Sequence, residues 1–205
     1  MGYCNKKGKK VSVKVEVKYD GGGLRPVEFN VSYNIGEDFY KKLLLINRRI
    51  LIMSKVFEDY FSEIQADIVS ICLEYVEGRA EKIYIICSFE SNVISHYYFY
   101  KVNGMVVRKH KLNDAISSGE KPYDVSIDVQ RQVADIIDDD IKALIKLCRE
   151  NNRDMPTEIK LIYDVKANKL NADYSYDLMY SKSRTKTADT IANKWFEEMK
   201  AKEGK

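Results

Sequence analysis

The chain has 205 residues, 45% of them hydrophobic, 32% charged and 11% aromatic, with a formal net charge of +3. So much Tyr, Ile, Val and Phe at so small a net charge excludes disorder along the whole chain, and this length can bury a core without disulfides or metal. The longest apolar run, residues 43–53, is interrupted by Asn47, Arg48 and Arg49, so it falls short of the roughly 20 apolar residues that a bilayer crossing requires.

The first residues, Met1-Gly2-Tyr3-Cys4-Asn5-Lys6, have neither the apolar stretch of a signal peptide nor the Ser or Thr at position six of a myristoylation motif. A cytoplasmic location is the expectation. Cys4, Cys72, Cys87 and Cys148 lie far apart without a Cys-x-x-Cys and read as small hydrophobic residues in a reducing cell. Charge is unevenly spread: residues 1–52 carry 11 basic and 5 acidic side chains, residues 53–150 carry 12 and 17, and residues 151–205 carry 11 and 9. A basic leader before an acidic middle points to two regions with different partners.

Val11, Val13, Val15 and Val17 alternate with Ser12, Lys14, Glu16 and Lys18, which is strand periodicity. Gly21-Gly22-Gly23 interrupts it, and Val27, Phe29, Val31 and Tyr33 alternate again, so a hairpin-like extension is predicted. Residues 37–52 fit helix and strand equally. From Ser54, a candidate cap, the apolar spacing becomes helical through Phe57, Tyr60, Phe61, Ile64, Ile68, Ile71, Cys72 and Tyr75, with Gly78 as the stop. Three strands are predicted next, over 83–89, 93–102 and 105–112, turned at Ser91-Asn92 and at Asn103-Gly104, the latter a strong hairpin signal. A second long helix is predicted over 124–150. A hairpin over 157–165 and 170–177 follows, and then a short helix carrying Ala188, Ile191, Ala192, Trp195, Phe196 and Met199. The order α-β-β-β-α-β-β-α with tight hairpins predicts an α+β fold: an antiparallel sheet of about five strands with two long helices packed on it.

Chemistry-bearing motifs are sparse. The triple glycine lacks the Lys-Ser/Thr of a phosphate loop, and neither a dinucleotide fingerprint nor a Gly-x-Ser-x-Gly elbow occurs. No cofactor and no metal are expected, because neither His96 nor His110 has a partner at metal-ligand spacing. A catalytic histidine is the lesser reading of His96; a strand histidine on a partly exposed face is the better one. The densest charge cluster is Asp135, Asp138, Asp139 and Asp140. On a helical projection Asp128, Asp135 and Asp139 lie opposite the apolar stripe, whereas Asp140 projects toward Val129, Ile136 and Leu144. The cluster reads as a solvated face supported by an Asp138–Lys142 pair, or as an acidic recognition surface suited to a phosphate-binding protein. Strand alternation puts Tyr97 and Phe99 on one sheet face and His96, Tyr98 and Tyr100 on the other. Two layers cannot bury both, so either a further layer covers one face or some rings remain exposed for a partner.

Residues 53–205 resemble the YezG-like family of antitoxin (immunity) proteins. The resemblance runs through Met53-Ser54-Lys55, Glu81-Lys82-Ile83-Tyr84, Tyr97-Tyr98-Phe99-Tyr100 and Met155-Pro156-Thr157. Its most specific stretch is Lys169-Leu170-Asn171-Ala172-Asp173-Tyr174-Ser175-Tyr176-Asp177-Leu178, followed by a late tryptophan, Trp195. It implies a non-enzymatic protein that binds and neutralises a nuclease toxin of the LXG-type secreted systems, inside the producing bacterium. The implied partner is thus a protein, not a membrane and not nucleic acid directly. On this reading residues 1–52 form a basic extension without counterpart in the family, and 53–205 form the immunity domain. Asp135, Asp138 and Asp139, with Tyr98 and Tyr100 if their rings face outward, are the candidate toxin-binding residues. The competing expectation is a nucleic-acid-binding module that uses Lys6, Lys7, Lys9, Lys10, Lys14 and Lys18.

Overall fold

In a computed structural model, which describes residues 9–18, 24–33 and 55–203, these periodicities become an α+β fold built on an open antiparallel sheet. Strands β1 (Lys9–Lys18) and β2 (Leu24–Tyr33) come first, then helix α1 (Phe57–Tyr75) and strands β3 (Lys82–Glu90), β4 (Val93–Val102) and β5 (Met105–Arg108). A 3-10 segment (Lys109–Asp114) leads to helix α2 (Ile127–Glu150), strands β6 (Glu158–Asp164) and β7 (Lys169–Ser175), and helix α3 (Ala188–Glu203). The five central strands lie in the order β7-β6-β3-β4-β5, every neighbouring pair antiparallel. β1 and β2 pair antiparallel, and β1 runs parallel to β7 at Lys14↔Lys169 and Val15↔Leu170. The hairpin thus continues the sheet. The Ser54 cap, the triple-glycine turn, residues 37–52 and the 52/53 boundary lie outside the described residues.

Local chemistry explains the turns and ends. Ser91 and Asn92 (φ 52° and 62°) join β3 to β4, and Asn103 and Gly104 (φ 47° and 78°) join β4 to β5. Two central residues at positive φ match the twist of antiparallel strands, and Asn and Gly tolerate that conformation. At the start of α1 the Val56 N–H donates to the Asp59 carboxylate at 3.1 Å; at its end the Gly78 N–H donates to the Leu73 carbonyl at 3.0 Å, closing a left-handed cap. The strand predicted over 105–112 stops at Arg108, where the chain turns into the 3-10 segment and buries Leu112. The run Met105-Val106-Val107-Arg108-Lys109-His110-Lys111-Leu112 contains no Gly, Pro or Asn to mark that break.

Both faces of the central sheet are covered. On one, α1 and α2 bury Ile68, Cys72, Val76, Val133, Ile137, Ile141 and Leu144 against Ile83, Ile85, Tyr98, Tyr100, Leu161 and Tyr163. On the other, α3 sets Ala192, Trp195 and Phe196 against Tyr84, Ile86, Phe99 and Val106. Tyr84 stacks on Phe99 at 4.8 Å between centroids, and the Trp195 and Phe196 edges each meet the Phe99 ring at 5.1 Å, the geometries that aromatic quadrupoles favour. Polar contacts fasten α3: at its end Glu203 pairs with Lys82 at 2.7 Å, and at its middle Arg108 lies 4.0 Å over Phe196 and donates to Asn193 at 2.7 Å. Of the two outcomes the aromatic alternation left open, a further layer or exposed rings, α3 supplies the further layer.

Candidate functional site

The candidate residues sit on or beneath α2. Its apolar stripe of Val133, Ile137, Ile141, Leu144 and Cys148 is buried, which holds the helix in one rotation about its axis. That rotation leaves Asp135 and Asp139 exposed, one turn apart on the outer face, as the projection predicted. The three candidate carboxylates have different surroundings. Asp139 accepts from Lys142 Nζ at 2.8 Å, so the supporting pair is Asp139–Lys142 and not the expected Asp138–Lys142. Asp138 lies at the flank, its side chain 43% exposed and its Oδ1 3.3 Å from His96 Nε2. Asp135 has no ion pair among the described residues. All three still act through one field: the Lys142 ammonium is held above its ordinary value by its bond to Asp139 and by the charges of Asp139, Asp138 and Asp135. Flanking pairs Arg131–Asp128 (3.8 Å) and Lys146–Glu150 (3.8 Å) complete an ordinary charged helix surface around them.

The tyrosines require a correction. Tyr98 is 3% exposed and Tyr100 fully buried, both under α1 and α2, so neither ring is available to a partner. Tyr100 donates its hydroxyl to the Cys72 carbonyl at 3.0 Å. Tyr98 meets Tyr75 and Tyr100 edge-on at 6.1 and 6.0 Å, and Lys109 Nζ sits 4.4 Å over its ring. Their alternation is as expected, but the two long helices cover this face. The apolar side chains that remain exposed lie elsewhere, among them Val56, Tyr60, Val93, Met105, Ile127, Tyr176 and Leu178.

His96 lies on β4 and is partly buried. Its side chain is only 10% exposed. Burial holds the imidazole below its ordinary value, while Asp138 pulls upward and Lys109 downward. Cys87, paired across from it on β3, has its thiol pushed up to about 12 by burial, with Asp140 and Asp138 adding to the effect. A thiol so placed stays protonated at neutral pH and is a poor nucleophile. His110 is exposed on the 3-10 segment. Among the described residues no three His, Cys, Asp or Glu side chains are arranged to hold a metal ion, and no helix is long and apolar enough to cross a membrane.

Two features escaped the sequence. The Glu90 carboxylate, in a residue 2% exposed, accepts backbone N–H groups from Met179 (2.5 Å), Tyr180 (3.3 Å) and Ser181 (2.8 Å). Burial raises its pKa, but these hydrogen bonds outweigh it and hold the acid below its ordinary value. This ties the segment between β7 and α3 to the end of β3. A recess of about 320 Å³ lies between the end of α1, the β4–β5 turn and the loop before α2. Arg79 stacks 3.7 Å over Tyr123 there and donates to the Lys121 carbonyl at 2.6 Å, and Lys121 pairs with Glu77 at 2.9 Å. Each joins residues distant in the chain, for which periodicity carries no signal.

Set against known proteins, the chain matches no family model and no curated protein. The fold and this geometry define a three-layered α+β domain that presents a charged helix face.

Proposed function

We propose that the protein is an immunity protein that binds a cognate secreted nuclease toxin inside the producing bacterium and neutralises it stoichiometrically. The resemblance over residues 53–205 suggests the class, and the outer face of α2 is the observation that carries the mechanism. Asp135 and Asp139 are exposed one turn apart on a helix whose opposite face is locked into the core, so the carboxylates are held out on a rigid support. A nuclease must attract polyphosphate, and an electropositive cleft is open to an inhibitor that presents carboxylates in the same field. Asp138 sits at the edge of this face, its side chain 43% exposed and in contact with His96. The tyrosines do not belong to it; any anchoring apolar group must come from those that remain exposed.

The test is co-expression with a candidate toxin encoded beside it, followed by purification of the complex and a growth assay. Protection together with a stable complex supports the reading; an active, unbound toxin ends it. Within a complex, Asp135→Asn with Asp139→Asn slows association and flattens its salt dependence, because complementary charge acts mainly on encounter. Unchanged association across salt concentrations moves the interface elsewhere. A gel-shift with non-specific DNA separates the alternative carried by the basic extension, since binding to phosphates falls steeply with added salt.

A further inference from the structure

The side of the sheet under α2 holds buried polar atoms that make no hydrogen bond: Asp140 Oδ2, His96 Nδ1 and the Tyr98 hydroxyl. Asp140 comes from the edge of the apolar stripe of α2, and the groups around it are mostly acidic. From α1 come Asp67, Glu63 beside it, and the Cys72 thiol. β3 supplies the Cys87 thiol and α2 itself adds Asp139; His96 and Tyr98 of β4, Lys109 of the 3-10 segment and Asp138 form a neighbouring cluster on the same side of the sheet. The imidazole is committed to Asp138 at 3.3 Å, and Lys109 lies over the Tyr98 ring; neither is within ion-pair distance of Asp140 among the described residues. An ionised carboxylate with a buried, unpartnered oxygen and two carboxylates nearby is a high-energy arrangement, and uptake of a proton relieves it.

We propose that Asp140, in the seam between α1, α2 and the sheet, is a proton-operated latch: α2 is seated while Asp140 holds a proton and is loosened when the proton leaves. This inference is independent of which partner the outer face binds. Burial, then Asp67 and then Asp139 push the Asp140 carboxyl up to about 8. A carboxyl raised on folding contributes stability that is complete below its ordinary value of 3.8 and lost as pH rises through about 8. His96 acts oppositely: its lowered value removes stability as pH falls below 6.5. The buried thiols of Cys72 and Cys87, raised above 9.0, add a loss at alkaline pH that any Asp140 variant retains.

The experiment is urea unfolding of the full chain between pH 6.5 and 8.5, wild type against Asp140→Asn. One proton held only by the native state makes the wild-type unfolding constant rise by up to about tenfold per pH unit, and the neutral, isosteric Asn removes that component. The protection factors of α2 amides, corrected for the base-catalysed intrinsic exchange rate, fall over the same interval in the wild type and not in the variant. Parallel pH profiles for the two proteins overturn the proposal. Should the variant fail to fold, carboxyl carbon NMR of the wild type decides: an Asp140 midpoint near 8 supports the latch, and one near 4 overturns it.

Discussion

The two faces of the central sheet start from the same kind of strand and end as different environments. Along β4, Tyr97 and Phe99 alternate with His96, Tyr98 and Tyr100, so both faces are aromatic. Under α3 the rings meet a tryptophan and a phenylalanine and form an aromatic stack, with the Tyr84 hydroxyl buried at its edge. Under α1 and α2 the rings meet a helix that carries Asp138 and Asp140 at the flank of its apolar stripe, and imidazole, ammonium and carboxyl groups are drawn in with them. What a strand face becomes therefore depends on the flank of the helix that covers it. The first face is built for packing. The second combines packing with titratable groups that support the rear of the exposed acidic surface.

The largest expected effect comes from breaking the apolar face. Phe99→Ala removes the ring that Tyr84, Trp195 and Phe196 share, and unfolding in urea should show a loss of about 3–5 kcal/mol. Glu90→Ala, at the end of the same face, leaves the N–H groups of Met179, Tyr180 and Ser181 without their acceptor. A loss of about 1–3 kcal/mol is expected, with earlier proteolysis between β7 and α3. Because the Glu90 value is lowered on folding, its contribution is present above the ordinary glutamate value and lost as pH falls through the folded one. A Glu90→Ala loss equally large at pH 3 and pH 6 would contradict that sign; the difference between variant and wild type cancels the contributions of His96, Asp67 and Asp140.

The polar face can be sharpened with two matched substitutions. Tyr100→Phe deletes a hydroxyl that bonds the Cys72 carbonyl and should destabilise by about 1 kcal/mol. Tyr98→Phe deletes a buried hydroxyl with no partner and should be neutral or stabilising. Equal losses for the two would show that the Tyr98 hydroxyl is satisfied in solution. The smallest effect belongs outside both faces: Asp135→Asn with Asp139→Asn should leave stability within about 0.5 kcal/mol, because the mutual repulsion removed and the exposed Lys142 pair lost are each small.

Much of the fold was legible. The helical spacing of Phe57, Ile64, Ile68, Ile71 and Tyr75, and of Val133, Ile137, Ile141 and Leu144, placed both long helices. The Ser91-Asn92 and Asn103-Gly104 turns placed the meander. The candidate site was legible in part: the projection put Asp135 and Asp139 outward and Asp140 toward the stripe. It could not show that Asp138 turns to His96, or that Lys142 chooses Asp139, because such choices depend on rotamers set by neighbouring elements.

Apart from the 3-10 segment after β5, element type and hairpin order were thus determined by the chain alone, since periodicity, turn propensity and capping are properties of adjacent residues. Which face of β4 meets which helix was decided only in three dimensions. Alternation guarantees that Tyr98 and Phe99 point in opposite directions, but it is symmetric with respect to inside and outside. That symmetry is broken by α3, whose Trp195 and Phe196 fold back across roughly a hundred residues to claim one face, while α1 and α2 claim the other. Burial is a property of the whole packed assembly, and so are the desolvation of Asp140 and the three-fold grip of Glu90 on a segment some ninety residues away.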